Sequence, residues 1–197
     1  VLQKARMLFL NYPNNPTAAV ASLEYLERVV AICRKYEIIL AYDNAYCDIV
    51  FDGYRAPSIF EVPGADEVAI EFFSLSKSFS MTGWRIGFAV GRAPFVGPLT
   101  QVKTYTDTGP FLAVQEAGAA VLDKAEELTA PICAEIARRR DAAVPALRAA
   151  GFQVELPKAA MYLWVGLPSG VNSKAFARHA LEVAGVLVLP GSAFGPA

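Results

Sequence analysis

The sequence predicts an α/β fold with a mainly parallel sheet, followed by a small α+β unit toward the C-terminus. Several short segments are apolar throughout, which is typical of strands covered on both faces of a sheet. The first two flank an amphipathic helix, and this strand, helix, strand order favours parallel neighbours. The chain has 197 residues, of which 54% are hydrophobic, so a core of this kind can be buried.

Four of the apolar segments are the predicted strands of the sheet. They are residues 5–11, 38–42, 68–73 and 85–90. The helix between the first two is predicted to begin at Ser22, because Leu23, Leu26 and Val30 then recur at helical spacing.

The second half of the chain is predicted to be mostly helical before a short strand-containing unit. Residues 95–151 have a helical pattern, which includes one long helix over 126–150 that Gly151 would cap. Beyond it, we predict strands at 152–156, 161–165 and 186–189 and a helix at 172–184. We therefore divide the chain into part of a large domain (1–126), a connecting helix (127–150) and part of a small C-terminal domain (151–197).

Composition argues against several classes of function. The net charge of −1 gives no electrostatic reason to expect nucleic acid or a membrane surface as a partner. One histidine, His179, cannot anchor a metal cluster or a Ser/His/Asp triad. Cys33, Cys47 and Cys133 form no CxxC pair, which indicates incidental thiols in a reducing compartment. No apolar run has membrane length and no basic leader opens the chain, so we expect a cytoplasmic protein.

Polar side chains that could bind a ligand come at or just after the predicted strands. They include Asn15, Asp43 and Ser74. Open α/β sheets bind ligands outside the carboxyl ends of their strands, so these residues are candidates for a binding site.

The strongest local signal is Lys77, which follows a buried strand and lies among serines. Arg85 comes eight positions later. Hydroxyl and guanidinium groups suit a phosphate, and a lysine amine can be a nucleophile. The simpler interpretation, a solvated lysine on a polar turn, applies to most lysines taken singly.

Three motifs, in this order along the chain, resemble those of fold-type I, class I/II aminotransferases, which depend on pyridoxal 5′-phosphate (PLP). Residues 11–17 resemble the Asn-Pro-Thr-Gly motif, residues 41–46 the Asp-x-x-Tyr motif, and residues 74–87 the lysine motif. The resemblance implies part of the PLP-binding large domain with its mainly parallel sheet, plus part of the small α+β C-terminal domain, truncated at both ends.

The resemblance also implies a role for each candidate residue. Lys77 would form the Schiff base with PLP and then move a proton between the substrate and the cofactor. Asp43 would face the pyridine nitrogen, and Tyr46 and Asn15 would donate hydrogen bonds to the 3′ oxygen of the ring. The phosphate would be held by Ser74, Ser76 and Arg85.

The activity that the resemblance implies is transfer of an amino group from an amino acid to a 2-oxo acid, in a homodimer. Residues 81–87, 102–109 and 157–162 are similar to bacterial members that act on LL-diaminopimelate, while related branches use alanine, aspartate or aromatic amino acids. A PLP-dependent β-lyase or decarboxylase on the same fold is an alternative, as is an aminotransferase-like sensor domain of a regulator.

The resemblance carries two local expectations and one about activity. Asn15–Pro16 would be a cis bond. Ala18 stands where the family usually has glycine, and we expect an ordinary backbone there. The upstream phosphate loop and ring-stacking aromatic residue would precede Val1, and the arginine for the substrate α-carboxylate would follow Ala197. We therefore expect the 197-residue chain by itself to be inactive.

Overall fold

A computed structural model describes residues 2–195 and contains a four-stranded sheet in the order β1-β2-β3-β4. The strands are β1 (Met7–Asn11), β2 (Ile39–Asp43), β3 (Ala69–Ser74) and β4 (Gly87–Gly91). β1, β2 and β3 run parallel, and β4 runs antiparallel to β3. The predicted mainly parallel α/β sheet is confirmed, and each strand begins one or two residues later than expected.

The helix α1 (Leu23–Tyr36) connects β1 to β2 and covers the sheet. It begins where the sequence predicts, since Ser22 Oγ accepts a 3.1 Å hydrogen bond from the backbone N–H of Tyr25. Its inward face buries Leu26 and Val30 in the main core. Burial of such a side chain stabilises the fold by about 1.5–3 kcal/mol.

Among the described residues, four further α-helices lie between β3 and the C-terminal unit. They are α2 (Leu75–Ser78), α3 (Ala93–Thr106), α4 (Leu112–Leu122) and α5 (Ala125–Ala149). Gly151 follows α5 with φ 88°, and its N–H donates a 3.0 Å bond to the Arg148 carbonyl, so the predicted glycine cap is confirmed. None of the helices within residues 2–195 is both long and apolar enough to cross a membrane.

The C-terminal unit has less strand structure than the sequence predicts. β5 (Gln153–Val154) and β6 (Val165–Gly166) form a two-stranded antiparallel sheet, and α6 (Ser173–Ala184) follows. The predicted strands at 161–165 and 186–189 are wrong, apart from Val165. Residues 157–160 approach the loop after β2 instead, through a bridge between Val50 and Ala159, and the 186–189 segment has no neighbouring strand among the described residues. The division of the chain into domains stays a prediction.

Candidate active site

The register of the sheet brings the predicted residues to one edge. Asp43 ends β2, level with Asn11 at the end of β1. Ser74 ends β3 and pairs with Gly87, the first residue of β4. Since β4 is antiparallel, it begins at the edge where the other strands end, and Arg85 therefore enters the same region.

Gly87 makes this arrangement of β3 and β4 possible. A Cβ atom at position 87 would lie 2.5 Å from the carbonyl oxygen of Phe73, which is far inside van der Waals contact. Only glycine fits so close to the neighbouring backbone.

The loop after β1 is fastened to β2 by the side chain of Asn11. Asn11 Nδ2 donates to the Asp43 carbonyl at 3.1 Å, and Asn11 Oδ1 accepts from the Asn15 N–H at 2.8 Å. The Asn15 amide in turn donates to the Tyr46 hydroxyl at 3.4 Å. The Asn15–Pro16 bond is cis, as the resemblance implies, and Tyr12–Pro13 is cis as well.

The expectation of an ordinary backbone at Ala18 is wrong. Ala18 has φ 57°, in the left-handed region, which costs a non-glycine residue about 1–2 kcal/mol. The loop holds it there, because the Ala18 N–H donates to the Asn14 carbonyl and the Asn14 N–H to the Ala19 carbonyl, each at 2.9 Å. The Ala18 methyl is buried against Tyr46 and Ala160, which offsets part of the cost.

Asp43 is a half-buried carboxylate at this edge. Its Oδ1 accepts a 3.2 Å bond from the Ala45 N–H. Burial raises the pKa of Asp43, and the bond from Ala45 acts in the opposite direction. A carboxylate in this setting favours a cationic partner, because the partner would compensate for its partial loss of water.

Tyr46 is buried beside Asn15 and a residue that sequence analysis did not select, Tyr162. The two phenol oxygens form a short hydrogen bond, and the two rings meet edge to face with centroids 5.5 Å apart. Burial is the largest cause that raises the pKa of Tyr46. Tyr46 therefore keeps its proton at neutral pH. The sequence signal that could have identified Tyr162 is the segment 157–162, whose similarity to the diaminopimelate members bears on substrate preference.

Lys77 lies in the single turn of α2, directly after β3. Ser74 caps this turn by accepting a 3.2 Å bond from the Ser76 N–H. Thr82 Oγ1 donates to the Ser76 carbonyl at 2.9 Å, and Arg85 Nη1 donates to the Thr82 carbonyl at 2.8 Å. Thr82, a second residue that the sequence analysis missed, thus connects the lysine turn to the arginine.

Lys77 also lines a cavity of about 700 Å³. Ser76, Thr82 and Tyr162 line it as well, and α5 closes another side with residues that include Arg140. Asp43, Tyr46 and Asn15 are not among the lining residues. Tyr162 therefore connects the cavity with the strand-end groups, since it lines the cavity and bonds to Tyr46.

Arg140 supports the segment that carries Tyr162. Its buried guanidinium bonds to Asp52 at 2.7 Å and to the Pro157 carbonyl at 3.0 Å, and it lies 4.6 Å from the ring centre of Phe51. Arg140 follows two exposed arginines in α5. It is buried because the loop after β2 and residue 157 supply its partners.

Metal-binding and disulfide groups are absent from the part of the chain that the structure describes. No group of three His, Cys, Asp or Glu side chains within residues 2–195 could hold a metal ion. The three cysteines are free thiols.

The fold and these groups define an α/β protein with a lysine and phosphate-suited side chains at the carboxyl ends of its strands. Residues 2–196 match the family of class I and II aminotransferases, and the chain belongs to that family. It is 47% identical over 195 residues to LL-diaminopimelate aminotransferase 2 of Nostoc sp. PCC 7120, covering 99% of this chain and 50% of that protein.

Two further relatives broaden the comparison. The glutamate-pyruvate aminotransferase AlaC of Escherichia coli K12 is 46% identical, with 98% of this chain and 47% of that protein covered. The solved aromatic aminotransferase of Pyrococcus horikoshii OT3 has a TM-score of 0.94 at 32% identity, covering 100% of this chain and 53% of that chain. The chain thus spans about half the length of the curated relatives it matches.

Proposed function

We propose that this protein is a PLP-dependent aminotransferase that binds its cofactor covalently through Lys77. It would move an amino group from an amino acid to a 2-oxo acid. The observation that carries the proposal is the position of Lys77 directly after β3, at the sheet edge where Asp43 ends β2. Membership of the aminotransferase family supports it.

The groups at the sheet edge fit PLP one by one. The half-buried Asp43 suits the pyridine nitrogen, where a carboxylate keeps a proton in place. Tyr46 and Asn15 supply hydrogen-bond donors for the 3′ oxygen of the ring. Ser74, Ser76 and Arg85 supply hydroxyl groups and a planar cation for the phosphate. When bound, PLP would provide the electron sink for the reaction.

The chain's own residues would then do the positioning and the proton transfer. The Lys77 amine would carry a proton to and from the substrate carbon next to the cofactor. The Thr82 hydroxyl would keep the turn that holds Lys77 and Ser76 in register with Arg85. Such positioning is a large part of catalysis, because a small misplacement is costly in rate.

For the substrate, we propose LL-diaminopimelate as the first amino donor to test. The relative in Nostoc carries that name, whereas the one in Escherichia coli is named for glutamate and pyruvate. We also propose a cytoplasmic homodimer. Since the chain spans about half the length of these relatives, full turnover is proposed for the whole protein, and the isolated 197 residues should show little.

The test of the proposal is covalent capture of the cofactor. The protein is incubated with PLP, reduced with borohydride and digested, and mass spectrometry locates the modified lysine. We expect modification at Lys77, its loss in Lys77→Ala, and no change in Lys35→Ala, which alters an exposed lysine on α1. Modification elsewhere, or none, would refute the proposal.

Product analysis then separates transamination from the alternative chemistries. In transamination, the amino donor would leave pyridoxamine phosphate and its own 2-oxo acid in the first half-reaction. An added 2-oxo acid would then take up the amino group and become a new amino acid. Release of ammonia with pyruvate would indicate a β-lyase, and release of carbon dioxide a decarboxylase. Binding of PLP without any product would favour the sensor.

A further inference from the structure

We infer that Tyr162 is a positioning residue that donates its phenolic hydrogen to Tyr46 and so directs the hydrogen of Tyr46 toward the 3′ oxygen of PLP. The inference deepens the proposed function and rests on it. Tyr162 would act through the side chain of Tyr46, which is 116 positions away in the sequence.

Three side chains supply the hydrogens around the Tyr46 oxygen. Asn15 Nδ2 is a donor only, and it gives one hydrogen to this oxygen at 3.4 Å. Tyr46 and Tyr162 have one phenolic hydrogen each and share one short bond, in which either oxygen can donate. If Tyr46 gives its hydrogen to PLP, the bond between the phenols requires the hydrogen of Tyr162.

The surroundings of the pair fix this geometry. Tyr46 is 5% exposed, and the methyl groups of Ala18 and Ala160 pack against it. Both alanines have left-handed backbones, with φ 57° and 64°. Within the described residues, Tyr46 is the one hydrogen-bond partner of the Tyr162 hydroxyl. A pair held this tightly has little freedom to point its hydrogens elsewhere.

Electrostatics agree with a neutral Tyr46 in this pair. Burial is the largest cause that raises the pKa of Tyr46 above its ordinary value, so Tyr46 keeps its hydrogen for a further partner. Two donors on a neutral phenol oxygen polarise its O–H group, and hydrogen bonds in a chain strengthen one another. Tyr162 therefore strengthens the bond that Tyr46 makes with the cofactor.

The consequence is measurable as the pH at which bound PLP changes its absorbance. The absorbance changes when the Lys77 nitrogen bound to PLP loses its proton. A hydrogen bond donated to the 3′ oxygen stabilises negative charge on that oxygen in the deprotonated form, and it therefore lowers the midpoint. Tyr46→Phe should therefore raise the midpoint of the absorbance change, and Tyr162→Phe should raise it by a smaller amount, about 0.3–1 pH unit, in line with a weakened neutral hydrogen bond.

A double variant distinguishes action through Tyr46 from a general structural effect. Adding Tyr162→Phe to Tyr46→Phe should leave the midpoint where Tyr46→Phe alone puts it, because no Tyr46 hydroxyl remains to be polarised. Tyr36→Phe, which removes a phenol on α1, is the matched control and should leave the midpoint unchanged. Additive shifts, or an unmoved midpoint in Tyr162→Phe, would overturn the inference.

A second variant avoids any question of folding. Incorporation of 3-fluorotyrosine at position 162 keeps the ring and makes its O–H a stronger donor, so the midpoint should move down. A shift upward, or none, contradicts the inference. If the unsubstituted protein binds PLP through Lys77 but the Tyr162 variants have the same absorbance midpoint as that protein, only the role of Tyr162 fails. If it shows no Lys77-dependent PLP absorbance, the proposed function fails and the role of Tyr162 fails with it.

Discussion

Asn44 donates a 2.7 Å hydrogen bond to the carboxylate of Glu71, and both side chains are completely buried. Ser58 Oγ donates to the other Glu71 oxygen at 2.5 Å. Glu71 lies in the middle of β3. Its carboxylate thus connects β3 to Asn44, which directly follows β2, and to Ser58 in the loop before β3. This polar network therefore connects the segment that carries Asp43 and Tyr46 to β3.

We predict that Glu71→Leu destabilises the protein by about 2–4 kcal/mol, because the buried Asn44 amide and the half-buried Ser58 hydroxyl lose their acceptor. Glu71→Gln should cost much less, since the Ser58 hydroxyl can reverse and accept from the new amide. Denaturant unfolding of both variants at neutral pH measures the difference. Equal losses in the two would show that shape, not the hydrogen bonds, is what Glu71 contributes.

The same carboxylate predicts a dependence of stability on pH. Burial raises the pKa of Glu71 above the value of 4.5 in the unfolded chain, although the bonds from Ser58 and Asn44 lower it in part. Between these two pKa values the folded state binds more protons, so this group's contribution to the unfolding free energy falls as pH rises through the window. The curve for Glu71→Gln should lack that fall, and parallel curves for the two proteins would disprove the assignment.

Thr82 offers a test of how the lysine turn is held. Thr82→Val keeps the shape but removes the 2.9 Å bond to the Ser76 carbonyl, and we expect the Kd for PLP to rise about fivefold, equivalent to about 1 kcal/mol. Thr82→Ser should bind like the unsubstituted protein. Thr100→Val removes a similar 2.9 Å bond on α3 and is the control. Equal affinity in Thr82→Val and Thr100→Val would exclude the role.

Ala18 allows a test of the left-handed loop. Ala18→Val places a branched side chain at φ 57° against Tyr46, and we expect a loss of about 2–3 kcal/mol in stability together with weaker PLP binding. Ala19→Val changes the exposed neighbour and should be nearly neutral. Thermal unfolding with and without PLP measures both effects, and the prediction fails if the two variants behave alike.

Substitution of Arg140 tests whether its contacts stabilise the segment that carries Tyr162. Arg140→Ala removes a buried cation from the Phe51 ring and from the Pro157 carbonyl, and we expect a loss of about 2–3 kcal/mol. Asp52→Ala should cost distinctly less, because its carboxylate is largely in water. Unfolding in urea compares the two, and a greater loss in Asp52→Ala would reverse the assignment.

The sequence was sufficient for those parts of the site that follow from local patterns. Apolar runs mark the strands, and parallel strands bring their carboxyl ends together, so Asp43 and Ser74 could be placed at one edge before any coordinates. Lys77 was evident from the serines beside it. The chemical roles of these residues toward PLP remain predictions.

The features that sequence could not supply depend on distant parts of the chain. Tyr162 meets Tyr46 only after residues 157–160 fold against the loop after β2. The backbone of Ala18 is set by hydrogen bonds within its loop and by packing on Tyr46, which no local propensity for alanine reveals. The 186–189 run is as apolar as a strand, but a strand also requires a neighbour to pair with.

The reversed direction of β4 has a consequence for assembly of the site. Lys77 and Arg85 belong to one continuous connection between two antiparallel strands, so closing it requires only a short loop and a small loss of chain entropy. Contacts between residues so near in sequence form early and quickly. The lysine and the phosphate-suited arginine are therefore in one short connection as soon as β3 and β4 meet, whereas the tyrosine pair requires residues 116 positions apart to meet.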